Sequence, residues 1–171
     1  MDPFLLFGIQ FTLSLVAWAL IAVWDVEPRL SRMPRALALV PLLWVHAFRV
    51  VGGTILAPGA VDPGVPMEFR TMVGLGDIAT GFLALVALVA LRLSVRPAIA
   101  LVWVCLIVGT VDTLNAIVQS LRFDVFTYPL GVNWVIVTSY VPALLVSSLL
   151  ILRHLLRPAA EATRPVSAPS P

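Results

Sequence analysis

Five runs of mostly apolar residues, each about twenty long, take up nearly the whole chain: 4–24, 36–57, 71–91, 98–119 and 132–152. About twenty residues is what a helix needs to cross a hydrocarbon core. A backbone in lipid has no water to bond with, so a run of this kind is read as a helix that satisfies its own N–H and C=O groups. The reading is an all-α integral membrane protein, a bundle of five transmembrane helices over residues 1–157. The remainder, 158–171, is rich in Pro, Ala and Ser and is expected to be a disordered cytoplasmic tail. Composition agrees, with 60% of residues hydrophobic and only 12% charged, about half the charged share of an average soluble domain. A bundle of five spans leaves no length for a separate soluble domain.

The breaks between runs carry recognisable turn chemistry. Residues 25–35 hold Pro28 and Pro34 among Arg29, Arg32 and Arg35, and residues 58–70 hold Pro58-Gly59 and Asp62-Pro63-Gly64. Pro142 predicts a kink in the fifth run. The first run follows Met1-Asp2-Pro3, has no basic segment before it and is too long for a signal-peptide core, so it reads as a retained span.

Arginine placement sets the expected orientation. Arg29, Arg32, Arg35, Arg92, Arg96, Arg153, Arg157 and Arg164 fall on one side of the spans, and only Arg70 and Arg122 on the other. By the positive-inside bias the N-terminus lies outside and the C-terminus in the cytoplasm. All 11 basic residues are Arg and none is Lys; with the Ala, Val and Leu content this suggests a GC-rich bacterial genome and hence the bacterial inner membrane. The arginines form no basic face, which argues against nucleic acid. Cys105 is the single cysteine, so an internal disulfide, a CxxC motif and a cysteine zinc site are excluded. His46 and His154 are expected over ~15 Å apart in depth, which argues against bis-histidine haem ligation. No metal-ligand cluster, phosphate loop or nucleophile motif is present, and the sequence names no cofactor. His154 is expected beside Arg153 and Arg157 at the lipid headgroups.

Polar residues inside the runs are the features most expensive to keep there. Asp77, Asp112, Arg49, Gln10 and Tyr140 all fall roughly 9–12 Å below the outer boundary when depth is counted along a helix. His46 stands one turn deeper than Arg49 on the same face, and Asn115 and Gln119 continue the Asp112 face outward. The opposite halves, such as 82–91, 98–106 and 143–152, are almost purely apolar. The simplest arrangement is a polar cavity open to the outside and closed below by a dry plug. Arg49 with Asp77 and Asp112 sums to −1, so a proton, a charged His46 or an external cation has to compensate. Gly74, Gly81 and Ala84 share a face with Asp77, where small residues either admit a neighbouring helix or leave space for a ligand. Glu68 and Arg70, at the mouth of the third run, either gate access or are simply solvated.

Three functions compete. The first is an outward-facing pocket for a small cationic or amphiphilic ligand or a proton, made by Arg49, His46, Asp77, Asp112, Asn115, Gln119, Gln10 and Tyr140. The second is a membrane enzyme using Asp77 and Asp112 as acid and base, with His46 in support, on a lipid-soluble substrate such as an isoprenoid, a sterol-like molecule or a quinone. A sideways opening lined by Trp44 or Trp103 would favour it. The third is a non-catalytic subunit of a membrane complex whose ion pair serves register alone. The lipid bilayer is the first partner in each, and a homodimer or larger complex would supply what five spans lack for a complete transporter.

Overall fold

The structure, a computed structural model, describes residues 2–157; the tail expected to be disordered lies outside them. Among the described residues all regular structure is helical, and five helices are long and apolar enough to cross a membrane: α1 (Pro3–Leu30), α2 (Arg35–Leu56), α3 (Met67–Arg92), α4 (Ala98–Arg122) and α5 (Val132–Leu156). The N-terminus and the loops 57–66 and 123–131 lie at one end of the bundle, called here the N-terminal end. The connectors 31–34 and 93–97 and residue 157 lie at the other.

One helix runs past a proline that the sequence marks as a break, and a second passes through the proline at which a kink is expected. The connector expected from residue 25 is in fact helix as far as Leu30, because residues 22–26 open into a π-turn just before Pro28. Widening the turn makes room for the proline ring and for the preceding carbonyl that proline leaves without a donor. The same device recurs at Ile136–Tyr140, two residues before Pro142, so α5 continues through it to Leu156.

The extension of α1 explains where His154 goes. Glu27 now projects from helix, and His154, expected at the headgroups, is instead 1% exposed with Nε2 3.0 Å from Glu27 Oε2. Arg153 Nε holds the other Glu27 oxygen at 3.0 Å. Arg35 donates to the Leu155 carbonyl at 3.2 Å and Arg157 to that of Ser31 at 2.8 Å, tying the C-terminal end shut.

Next to this knot lies a dry core. Leu39, Leu43, Ala84, Ala87, Val102, Cys105 and Ile151 are fully buried there, as the apolar half-spans predict. The helix that organises it is α3, which packs on both α2 and α4. Its small-residue stripe serves close approach: a Cβ at Gly74 would stand 2.6 Å from Leu56, and one at Gly81 2.7 Å from Val50.

At the N-terminal end the two long loops close over the bundle. Val61, Val65, Phe69, Val125, Phe126 and Leu130 form a second apolar core. Asp62 N–H bonds the Pro129 carbonyl at 2.9 Å, and Asn133 Nδ2 bonds that of Ala60 at 3.3 Å. Gly131 makes this junction possible, with φ of 55° and a would-be Cβ 2.7 Å from the Ala60 oxygen. A cavity open through this end was the expectation; an apolar cap occupies the place instead.

Gly81→Leu should force α2 and α3 apart. Overpacking of this kind costs about 1–3 kcal/mol, and a lower Tm in detergent is the expected reading. An unchanged Tm would mean that the α2–α3 contact is looser than described.

Candidate functional site

Half of α2 is not α-helix. From Phe48 to Leu56 it winds as a nine-residue 3-10 helix, far beyond the usual three or four residues. Gly52-Gly53 and the β-branched Val50, Val51, Thr54 and Ile55 are poor α-helix formers, so the tighter winding meets little opposition. Three residues per turn eclipse every third side chain, where an α-helix would drift by about 60° at each such step. Arg49, Gly52 and Ile55 therefore stand in one buried column, with His46 just before it.

Arg49 is the centre of the site. Its Nε donates to Asp77 Oδ1 of α3 at 2.6 Å and its Nη2 to Asp112 Oδ2 of α4 at 2.6 Å. Nη1 donates to the Gly109 carbonyl at 2.9 Å. One guanidinium thus joins three helices, with side chains only 4% (Arg49), 15% (Asp77) and 16% (Asp112) exposed. Bonds between ionised partners are the strong class of hydrogen bond. Counted ionised, the cluster carries −1.

Glycine makes room for each carboxylate's second oxygen. A Cβ at Gly52 would fall 1.8 Å from Asp77 Oδ2, and one at Gly76 1.8 Å from Asp112 Oδ1. The two aspartates differ in what lies beyond. Gly52 and Asp77 both line a cavity of about 350 Å³, whereas neither Gly76 nor Asp112 does. Asp77 alone of the pair presents its carboxylate there.

That cavity is bounded by all five helices. Phe4, Phe7 and Phe11 of α1 form one wall and Thr113, Ile117 and Leu121 of α4 another; Phe69 and Phe126 roof it under the cap. Arg49, Asp77, Thr113 and Tyr140 bring polarity to its deep end. Tyr140 is itself held by donation to the Val45 carbonyl. Such a mostly apolar space with a few converging polar groups has the form and size of small-ligand pockets.

His46 stays close without lining the cavity. It is buried, its Nε2 is 2.9 Å from Ser147 Oγ, and its Nδ1 has no hydrogen-bond partner. The other three expected members do not join. Gln10 accepts from Trp134 Nε1 at 2.6 Å, Asn115 reaches Met72 Sδ at 3.0 Å, and Gln119 faces Arg122 at 3.5 Å. Helical phase is the reason: α4 turns Thr113, Ala116, Ile117 and Ser120 to the cavity, and Asn115 lies on the far side of Asp112 from that face. Trp44, Trp103, Glu68 and Arg70 do not line it either. Sequence reasoning missed Gly52, Gly76, Thr113 and the Gly109 carbonyl. The only signal was glycine recurring near the charges, in Gly52-Gly53 and in Gly74-Leu75-Gly76-Asp77.

Residues 6–156, which include every member of the cluster, match a family described as "Domain of unknown function (DUF8737)". The chain belongs to this family. No curated protein and no solved structure matches it. The match spans all five helices and both loops of the cap, so the DUF8737 unit is the whole bundle.

Arg49→Met should leave two buried carboxylates without their cation, at a cost of about 3–5 kcal/mol. Replacing the set together (Arg49→Met, Asp77→Leu, Asp112→Leu) should recover most of that loss, since an uncharged core avoids the desolvation. Thermal unfolding of both variants in one detergent checks the pair. A triple variant no better than Arg49→Met would mean that the cluster fixes the fold by more than charge balance.

Proposed function

We propose that this DUF8737 protein is a multi-pass protein of the bacterial inner membrane, N-terminus outside and C-terminus inside, that binds a small cationic or amphiphilic ligand in the cavity above Arg49. The observation that carries the reading is Asp77. It lines a mostly apolar cavity, belongs to a cluster one positive charge short of neutral, and has one carboxylate oxygen lying over a glycine instead of a side chain. A carboxylate in such surroundings is strongly disfavoured without a counter-charge, and a cation or a proton in the cavity would provide it. The arginine bias between alternate connectors supports the orientation.

Binding is preferred to catalysis on the same geometry. The acid/base reading needs both aspartates at the substrate, and only Asp77 reaches the cavity. A purely structural role for the cluster would make the cavity incidental, and one experiment separates these readings. Native mass spectrometry of the protein released from mild detergent should show a defined adduct in the wild type that is lost in Asp77→Asn. Asp112→Asn, which keeps a hydrogen-bond acceptor for Arg49, should retain the adduct at reduced occupancy. A wild type without any adduct, or an adduct indifferent to Asp77→Asn, overturns the proposal in favour of a structural ion cluster.

A further inference from the structure

The cavity's boundary is uneven. The dry core closes it toward the C-terminal end, and the cap formed by the two loops closes it toward the N-terminal end. On the side, α1 is fastened in one direction only. Trp18 Nε1 donates to the Ser139 carbonyl of α5 at 3.0 Å, Trp134 of α5 donates to Gln10 at 2.6 Å, and the Phe7 and Phe126 rings lie 4.1 Å apart. The principal neighbours of α1 are α5 and the turn at Val125–Thr127, with α4 not among them.

Residues of α1 and α4 face each other across cavities. Phe4, Ile117 and Leu121 line the large cavity and are all exposed. A second recess of about 160 Å³ continues the same seam to the N-terminal end. It shares Phe4, Ser120, Leu121 and Phe126 with the first, holds Asp2 and Asp124, and is lined by no cationic side chain. The seam therefore offers carboxylates at its mouth, aromatic and aliphatic walls along its length, and Asp77 at its deep end.

We propose that the ligand enters sideways, through the α1/α4 seam, and that it is a single-chain amphiphile with a cationic head drawn from the outer leaflet of the bilayer. This rests on the reading of the cavity as a ligand site. Charge complementarity selects the head: three carboxylates line the route, and the one guanidinium at its end is already paired with two of the protein's own carboxylates, Asp77 and Asp112, which leaves the cluster at −1. Geometry selects the tail, because a chain bound head-first at Asp77 would leave between Ile117 and Phe7 into the apolar surroundings of the bundle without disturbing the cap.

The test uses the full chain in lipid nanodiscs and a hexadecyltrimethylammonium probe with a photoreactive diazirine in its chain, beside the uncharged hexadecanol analogue. Labelling by the cation should map to α1 and α4 around Phe7, Ile117 and Leu121. It should fall at least about tenfold, the equivalent of 1.4 kcal/mol, in Asp77→Asn and again in Ile117→Trp, which fills the seam. The alcohol should show no dependence on Asp77. Ile117 and Leu121 are both exposed, so Leu121→Trp serves as the second seam variant should Ile117→Trp accumulate poorly. Asp77-dependent labelling that maps elsewhere, or that neither seam variant lowers, overturns the sideways route and leaves the ligand site standing. Labelling indifferent to Asp77→Asn overturns the ligand site itself.

Discussion

One guanidinium shared between two carboxylates is the constraint around which the bundle is arranged. Arg49 leaves α2 and takes Asp77 from α3, Asp112 from α4 and a backbone oxygen of α4, so the relative rotation and height of three helices are set by one planar group. Planarity matters here. An ammonium would attract the same carboxylates without fixing the angle between them. The other features follow from the need to deliver that group. The 3-10 segment aims Arg49, Gly52 and Ile55 along one line, and the glycines at 52 and 76 clear the volume that the second carboxylate oxygens occupy.

The cluster also divides the molecule chemically. Beyond it toward the C-terminal end the core is aliphatic and closed, stitched at its edge by Glu27, His154 and Arg153. Toward the N-terminal end the helices enclose the cavity, with Phe7 packed on Phe11 and Phe126 along one side of it. The same helices thus pack tightly on one side of the charges and enclose a cavity on the other. Ligand-sized space is left where only apolar contacts would need to give way.

How much of this was legible from residues differs by kind. The five helices were, because apolar length alone demands them, and so were the members of the charge cluster, because Arg49, Asp77 and Asp112 are too costly to bury apart. Their pairing followed from counting depth at a constant rise per residue. Phase was not legible in the same way. Asn115 and Gln119 lie at suitable depth yet point away from the cavity, and Gln10 is taken by Trp134. The end of α1 was misjudged because Pro28 stops an ordinary α-helix, and a π-turn leaves no mark in composition. His154 was misplaced for the same reason, since its partner Glu27 was assigned to a connector. The cap was unreadable because it depends on two loops meeting across the end of the bundle, a contact between residues some seventy positions apart such as Asn133 and Ala60.

The asymmetry between the two aspartates carries the functional argument furthest. Paired on one arginine at equal distances, they look interchangeable in sequence and nearly so in burial. What separates them is the neighbour of the spare oxygen. The glycine over Asp112 belongs to the α3–α4 contact, whereas the glycine over Asp77 is part of the cavity wall. A Cβ at position 52 would fall 1.8 Å from Asp77 Oδ2, so that position admits no side chain at all. Position 52 is thus where the structural demand and the proposed binding demand coincide: the absent side chain that lets Asp77 reach Arg49 is the same one that leaves Asp77 accessible from the cavity.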